Sequence, residues 1–132
     1  MTCIETLTVG TELDPLKISP ISRTTLALFA GASGDHNPMH IDIDVAKSAG
    51  LGDVFAHGML SMAYLGRILT DNFDAGSIRS YRVRFASITP VHGKPTATAT
   101  VVSVENNLAT LELAVTLEDG TVTLTGDAVV AV

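Results

Sequence analysis

The densest run of chemistry-bearing side chains is Ser33-Gly34-Asp35-His36-Asn37-Pro38-Met39-His40, where a carboxylate and two imidazoles fall within six residues. A histidine titrates near neutrality, and a carboxylate can share and orient the same water. Such a pair suits a reaction that takes a proton from water and delivers another to carbon, as when water adds across a double bond conjugated to a carbonyl. The carbonyl oxygen then gains negative charge, which backbone N–H groups at a helix N-terminus can stabilise. A long helix is predicted to open at His57-Gly58-Met59. Gly58 has no side chain to obstruct an incoming carbonyl, so its N–H is the candidate oxyanion donor.

Simpler readings compete at each position. Asp35 alone could cap the next turn, and His40 alone could be an ordinary half-buried histidine. Their fixed spacing with Asn37 and Pro38 favours chemistry. His36 is expected to be solvated or to support the loop, and Ser61 to be an ordinary helical serine. His36, His40 and Asp42 do not form a recognised zinc spacing and no cysteine joins them, so no metal and no cofactor are expected.

The surrounding elements must hold this loop at set angles. Pro38 fixes its own φ and pushes Asn37 out of the helical region, and Gly34 permits a sharp turn before Asp35. A short strand and extended approach are predicted within residues 4–18. Ser22 is a good N-cap for a helix from Thr24 to Ala32, with Leu26, Phe29 and Ala30 on one face. Asp42 or Asp44 can cap a second short helix over Val45 to Ala49, ended by Gly50. The longest helix is predicted from Ala56 to Thr70. It is apolar almost all round, which predicts burial on most sides. Gly58 and Gly66 cost helix propensity there, so something is expected to approach the backbone closely.

From Ile78 the pattern switches to period two: Tyr81, Val83 and Phe85 alternate with Ser80, Arg82 and Arg84. Three further strands are predicted over Thr96 to Val104, Leu108 to Leu117 and Val122 to Val132. Asn106-Asn107 and Glu118-Asp119-Gly120 mark the turns between them. A buried helix followed by an antiparallel meander is an α+β domain, with the sheet wrapped round the helix.

The chain has 132 residues, 46% hydrophobic, 17% charged and 5% aromatic. It fits a single domain, residues 1–132, with a sizeable core. Net charge is −6 with a pI near 4.9, against the basic stripe of a nucleic-acid reader. Low charge with positive mean hydropathy hints at subunit contact. Cys3 is the single cysteine, compatible with a reducing compartment and too near the terminus to suggest a nucleophile. No signal-peptide pattern or membrane-length apolar run is visible, so a soluble cytoplasmic protein, not bound to membrane, is expected.

The stretch Phe29 to His40, FAGASGDHNPMH, resembles the signature of the MaoC-like dehydratases, including (R)-specific enoyl-CoA hydratases and (3R)-hydroxyacyl-ACP dehydratase subunits. The family pattern is an aromatic, a short spacer, then Ser/Thr-Gly-Asp-x-Asn-Pro-aliphatic-His, and every fixed position is met. Asp42, Ala46 and Gly50 also fit, as do Ala56-His57-Gly58-Met59-Leu60, Arg84-Phe85, Thr89-Pro90-Val91 and Gly93. The resemblance implies a hotdog fold, a dimer of hotdogs, and an Asp/His pair acting on a CoA or ACP thioester. By position it implies Asp35 and His40 as catalytic, Asn37 with Pro38 as supports, and the Gly58 amide as the oxyanion donor. His57, Met59, Arg82 and Arg84 are candidate substrate contacts, the arginines because guanidinium suits phosphate. The expected activity is hydration of a trans-2-enoyl thioester, or the reverse. Two alternatives stand beside it: a hotdog thioesterase, and one subunit of a heterodimeric dehydratase rather than a homodimer.

Overall fold

The computed structural model describes residues 7–132. Cys3, and the part of the predicted first strand before Leu7, lie outside the described residues. Five strands, β1 (Leu16–Lys17), β2 (Ile78–Phe85), β3 (Thr96–Glu105), β4 (Leu108–Thr116) and β5 (Val122–Ala131), accompany three helices, α1 (Arg23–Ser33), α2 (Ile43–Ser48) and α3 (Gly58–Thr70). The strands form one antiparallel sheet in the order β1-β3-β4-β5-β2.

The sheet packs on α3. Leu65, Ile68 and Leu69 of the helix share a core with Ala97, Ala99 and Val101 of β3, Leu111, Leu113 and Val115 of β4, and Leu124, Ala128 and Val130 of β5. Those strand positions alternate, so one face of the sheet is apolar and meets the helix. A second cluster, with Ile21, Leu26, Ala46, Val54, Ala56, Leu60 and Val91, joins α1, α2 and the start of α3. It anchors the elements on either side of the loop 34–42.

The expected meander needs correction. β3, β4 and β5 follow one another, but β2 lies at the far edge beside β5, not beside β3. The connection 86–95 runs from the β2 edge across to β3, which lies between β1 and β4, so sequential strands β2 and β3 do not pair. Its ends are tied down: Phe55 bridges Pro90, the Ala56 N–H donates to Thr89 O at 2.8 Å, and the Ile21 N–H donates to Gly93 O at 3.0 Å. The Ala56 bond is also why α3 begins at Gly58 and not at Ala56: residues 55–56 are extended and His57 is the N-cap.

Other boundaries follow their caps. Ser22 accepts from the Thr25 N–H, and α1 runs through Gly31 to end at Gly34, whose φ of 78° is left-handed. Asp42 caps α2 by accepting from Asp44 N–H, so that helix begins two residues earlier than predicted. Asn106 and Asn107 make the tight β3–β4 turn at φ 54° and 62°, as hairpin twist demands. Although apolar almost all round, α3 leaves Met59 58% exposed, so burial on most sides is not complete in the single chain. No helix among the described residues is long and apolar enough to cross a membrane.

Candidate active site

The loop after α1 is shaped by its own short side chains. The Asp35 N–H donates to Ser33 Oγ, the Asn37 N–H to Asp35 Oδ1, and the Met39 N–H to Asn37 Oδ1, at 3.2, 3.2 and 3.1 Å. Asn37 thereby caps a 3-10 turn, Pro38–His40, with Pro38 at its start. The turn delivers His40 into the protein, where it is only 7% exposed. Asp35 stays at the rim with its side chain 49% exposed.

His40 Nδ1 lies 2.7 Å from the Phe55 carbonyl oxygen. A carbonyl only accepts, so Nδ1 carries the proton and Nε2 of the neutral ring presents its lone pair. That Nε2 lies 4.0 Å from Asp35 Oδ2. The gap is too long for a direct hydrogen bond and suits one bridging water.

His57 completes the cluster from the N-cap of α3. It is fully buried, stacked on His40 with ring centroids 4.0 Å apart and planes at 27°. Phe29 meets it edge-on, with ring centroids 4.9 Å apart. His57 Nε2 is 3.1 Å from the Asp35 carbonyl oxygen, so Nε2–H donates and Nδ1 is left bare. Nδ1 is buried with no hydrogen-bond partner among the described residues. Fully buried, His57 reaches the loop's backbone and the face of His40.

Burial pushes His57 below its ordinary pKa of 6.5; the bond to the Asp35 carbonyl opposes this and the neighbouring His40 adds to it. The folded protein therefore binds this proton less readily than the unfolded chain. Stability is expected to be full above about 6.5 and lost as pH falls from there through the lower folded value, by up to about 1.4 kcal/mol per pH unit for one group. Denaturant midpoints between pH 8 and 5 check this. His57→Gln, which keeps a donor for the Asp35 carbonyl but does not titrate, should show a shallower slope than the wild type. Equal slopes would place the effect elsewhere.

Ligand atoms of Asp35, His40 and His57 lie within 4.8 Å of one another, a different set from the His36, His40 and Asp42 weighed in the sequence. Two stacked imidazoles send their lone pairs side by side, not onto one ion at about 2.0–2.1 Å. One nitrogen of each ring is also committed to a carbonyl. The arrangement suits proton transfer better than metal coordination.

Gly58 opens α3, and the His57 side chain makes no capping bond to the first turn. Gly58 lines a cavity of about 290 Å³ with Phe55, Ser61, Phe85, Thr89 and Leu124. Ser61, read as an ordinary helical serine, is buried 3.4 Å from Thr89 Oγ1 within this lining. Met59 is exposed beside Gly58. Arg82 and Arg84 stand on the face of β2 opposite Tyr81 and Val83, and Arg82 pairs with Asp127 at 3.1 Å. They are not part of the Asp35–His40–His57 cluster. His36 is exposed, as expected.

Structural similarity extends over 95% of the chain to the unliganded R-hydratase of Pseudomonas aeruginosa, with TM-score 0.84, 26% identity and 82% of that chain covered. The architecture is the hotdog fold. The chain is 32% identical to an (R)-specific enoyl-CoA hydratase of Rhodospirillum rubrum over 116 residues, 85% of this chain and 80% of that protein. It is also 32% identical to the 3-hydroxyacyl-thioester dehydratase Z of Mycobacterium tuberculosis over 92 residues; that match covers 65% of this chain and 61% of the relative's length. With residues 5–123 matching the model of the MaoC like domain, the chain belongs to the MaoC-like dehydratase family.

Proposed function

We propose that the chain is a hydro-lyase interconverting trans-2-enoyl and (3R)-3-hydroxyacyl thioesters, carried on CoA or acyl carrier protein, with Asp35 and His40 acting together on one water. The observation that carries this is the 4.0 Å gap between His40 Nε2, lone pair outward, and Asp35 Oδ2, beside the helix start at Gly58.

In the hydration direction, a water held between the two groups gives a proton to the pair as its oxygen bonds to C3. The electron pair of the C2=C3 bond moves toward C2 and the thioester oxygen, which gains negative charge. The Gly58 N–H donates to that oxygen. C2 then takes a proton from the Asp35/His40 unit, and dehydration runs the same steps backward. The Phe55 carbonyl holds His40 in the required tautomer, and Asn37 and Pro38 hold the turn. His57 keeps Asp35's backbone and the face of His40 in place. Met59 is exposed beside Gly58, and Arg84, unlike the Asp127-paired Arg82, is available to the phosphates of the carrier. The named activities of the relatives support this reading.

A second copy of the chain is the partner we infer. Among the described residues the eight-residue strand β2 pairs only with β5, and a strand edge of that length invites pairing. Met59, Phe85 and Ile88 are at least half exposed near it.

The test is to incubate purified protein with trans-2-butenoyl-CoA and follow loss of the conjugated enoyl absorbance. The expected product is (3R)-3-hydroxybutyryl-CoA. Release of free thiol without hydration would point to a thioesterase. Activity that arises only on adding a related subunit would replace the homodimer with a heterodimer.

A further inference from the structure

The two glycines of α3 lie eight residues apart, about 12 Å along the helix axis, and each sits under an aromatic ring of β2. A Cβ at Gly58 would stand 3.1 Å from the Phe85 ring, and a Cβ at Gly66 would stand 3.5 Å from the Tyr81 ring. Phe85, Val83 and Tyr81 share one face of the strand by its period of two. A seam between strand and helix therefore runs from the reacting centre at Gly58 toward Gly66.

The two ends of the seam differ. At Gly58 it is open: the cavity of about 290 Å³ lies there, and Phe85 is 51% exposed. At Gly66 it is closed: Tyr81 is half-buried and packs, with Met62 and Val83, against the main core. Its hydroxyl donates a 2.6 Å hydrogen bond to the Met62 carbonyl. Burial lifts the Tyr81 pKa to about 12, so it remains a donor at any working pH. The ring is pinned, because swinging it aside would strand a half-buried hydroxyl.

A thioester whose carbonyl meets Gly58 has its carrier on the solvent side. The apolar cavity touching Gly58 is the space left for the acyl end. Beyond it along α3 come Met62, Val83 and Tyr81. We propose that Tyr81 is the residue that limits acyl length, making this a site for short-chain enoyl thioesters. The proposal rests on the hydratase reading and adds its substrate class. Gly66 sharpens the point, since removing the Tyr81 ring would open space over bare backbone and not over another side chain.

The experiment is kcat/KM for trans-2-butenoyl-CoA and trans-2-octenoyl-CoA, measured on the wild type, Tyr81→Ala and Tyr81→Val. The wild type should favour the four-carbon substrate by at least about tenfold, the scale on which a fixed pocket resolves chain length. Both variants should raise the eight-carbon to four-carbon ratio by at least about tenfold. The ratio is insensitive to a general loss of activity, and Val keeps a strand-forming residue should Ala fold poorly. A folded variant with an unmoved ratio overturns the assignment, as does a wild type equally fast on both substrates. A wild type inert at both lengths overturns the hydratase reading itself.

Discussion

Replacing Asp35 by Asn or His40 by Ala is expected to lower kcat/KM for trans-2-butenoyl-CoA by about 10²- to 10⁴-fold each, the range that a positioned acid or base contributes. Asp35→Asn is the cleaner change. The side chain is about half exposed, and an amide oxygen can still accept from the Asn37 N–H as Asp35 Oδ1 does, so the loop should keep its shape. What is lost is a carboxylate able to take a proton. His40→Ala also removes a ring packed between Phe55 and His57, so its melting temperature must be measured beside its rate.

The double variant distinguishes a coupled pair from two independent helpers. If both groups act on one water, removing the second should cost little after the first, because residues that work as a unit are not additive. Independent roles would multiply the losses. A single variant retaining more than about a tenth of wild-type activity would remove that residue from the chemistry.

Much of this site was legible because its residues are contiguous and shape themselves locally. Gly34, Asp35, Asn37 and Pro38 each impose a backbone preference within a residue or two, so the turn that buries His40 follows from adjacent side chains. Ser22 and Asp42 marked their helices for the same reason. The rest of the site depends on chain segments meeting from afar. The Phe55 carbonyl that sets the His40 tautomer is a backbone atom and leaves no mark in residue type. His57 could be placed at a helix start but not stacked beneath His40, since that needs α3 folded back on the loop 17 residues earlier in the chain. The placing of β2 was missed on similar grounds: Tyr81, Val83 and Phe85 alternate the same way whichever strand lies alongside. One residue carried the missing information, Gly126 in β5, but a glycine inside a strand speaks only once its neighbour is known.

That residue supports the largest expected effect on stability. Gly126 is the Cα partner of Val83 across β2 and β5 and of Leu113 across β4 and β5. A Cβ built there would fall inside the van der Waals envelope of the Arg82 carbonyl oxygen, with the Arg82 carbonyl carbon and Val83 Cα each at 3.2 Å. These are backbone atoms, so no rotamer change relieves the contact; β2 must move away from β5. Gly126→Ala is expected to destabilise the fold by about 1–3 kcal/mol or more, as overpacking does, a large share of the 5–15 kcal/mol that holds a domain together. Gly31→Ala is its control. That glycine lies inside α1 with nothing within 4 Å of an added Cβ, so alanine should be neutral or stabilise by up to about 1 kcal/mol. Thermal melting should fall for Gly126→Ala and hold or rise for Gly31→Ala, and a Gly126→Ala midpoint within a degree or two of wild type would show that the β2–β5 contact is slack. Amide exchange would then locate the damage in β2. Because β2 carries Phe85 over Gly58 and Tyr81 over Gly66, its displacement should also loosen the acyl seam, so Gly126→Ala is expected to blunt chain-length discrimination while leaving the Asp35–His40 gap, built on other elements, intact.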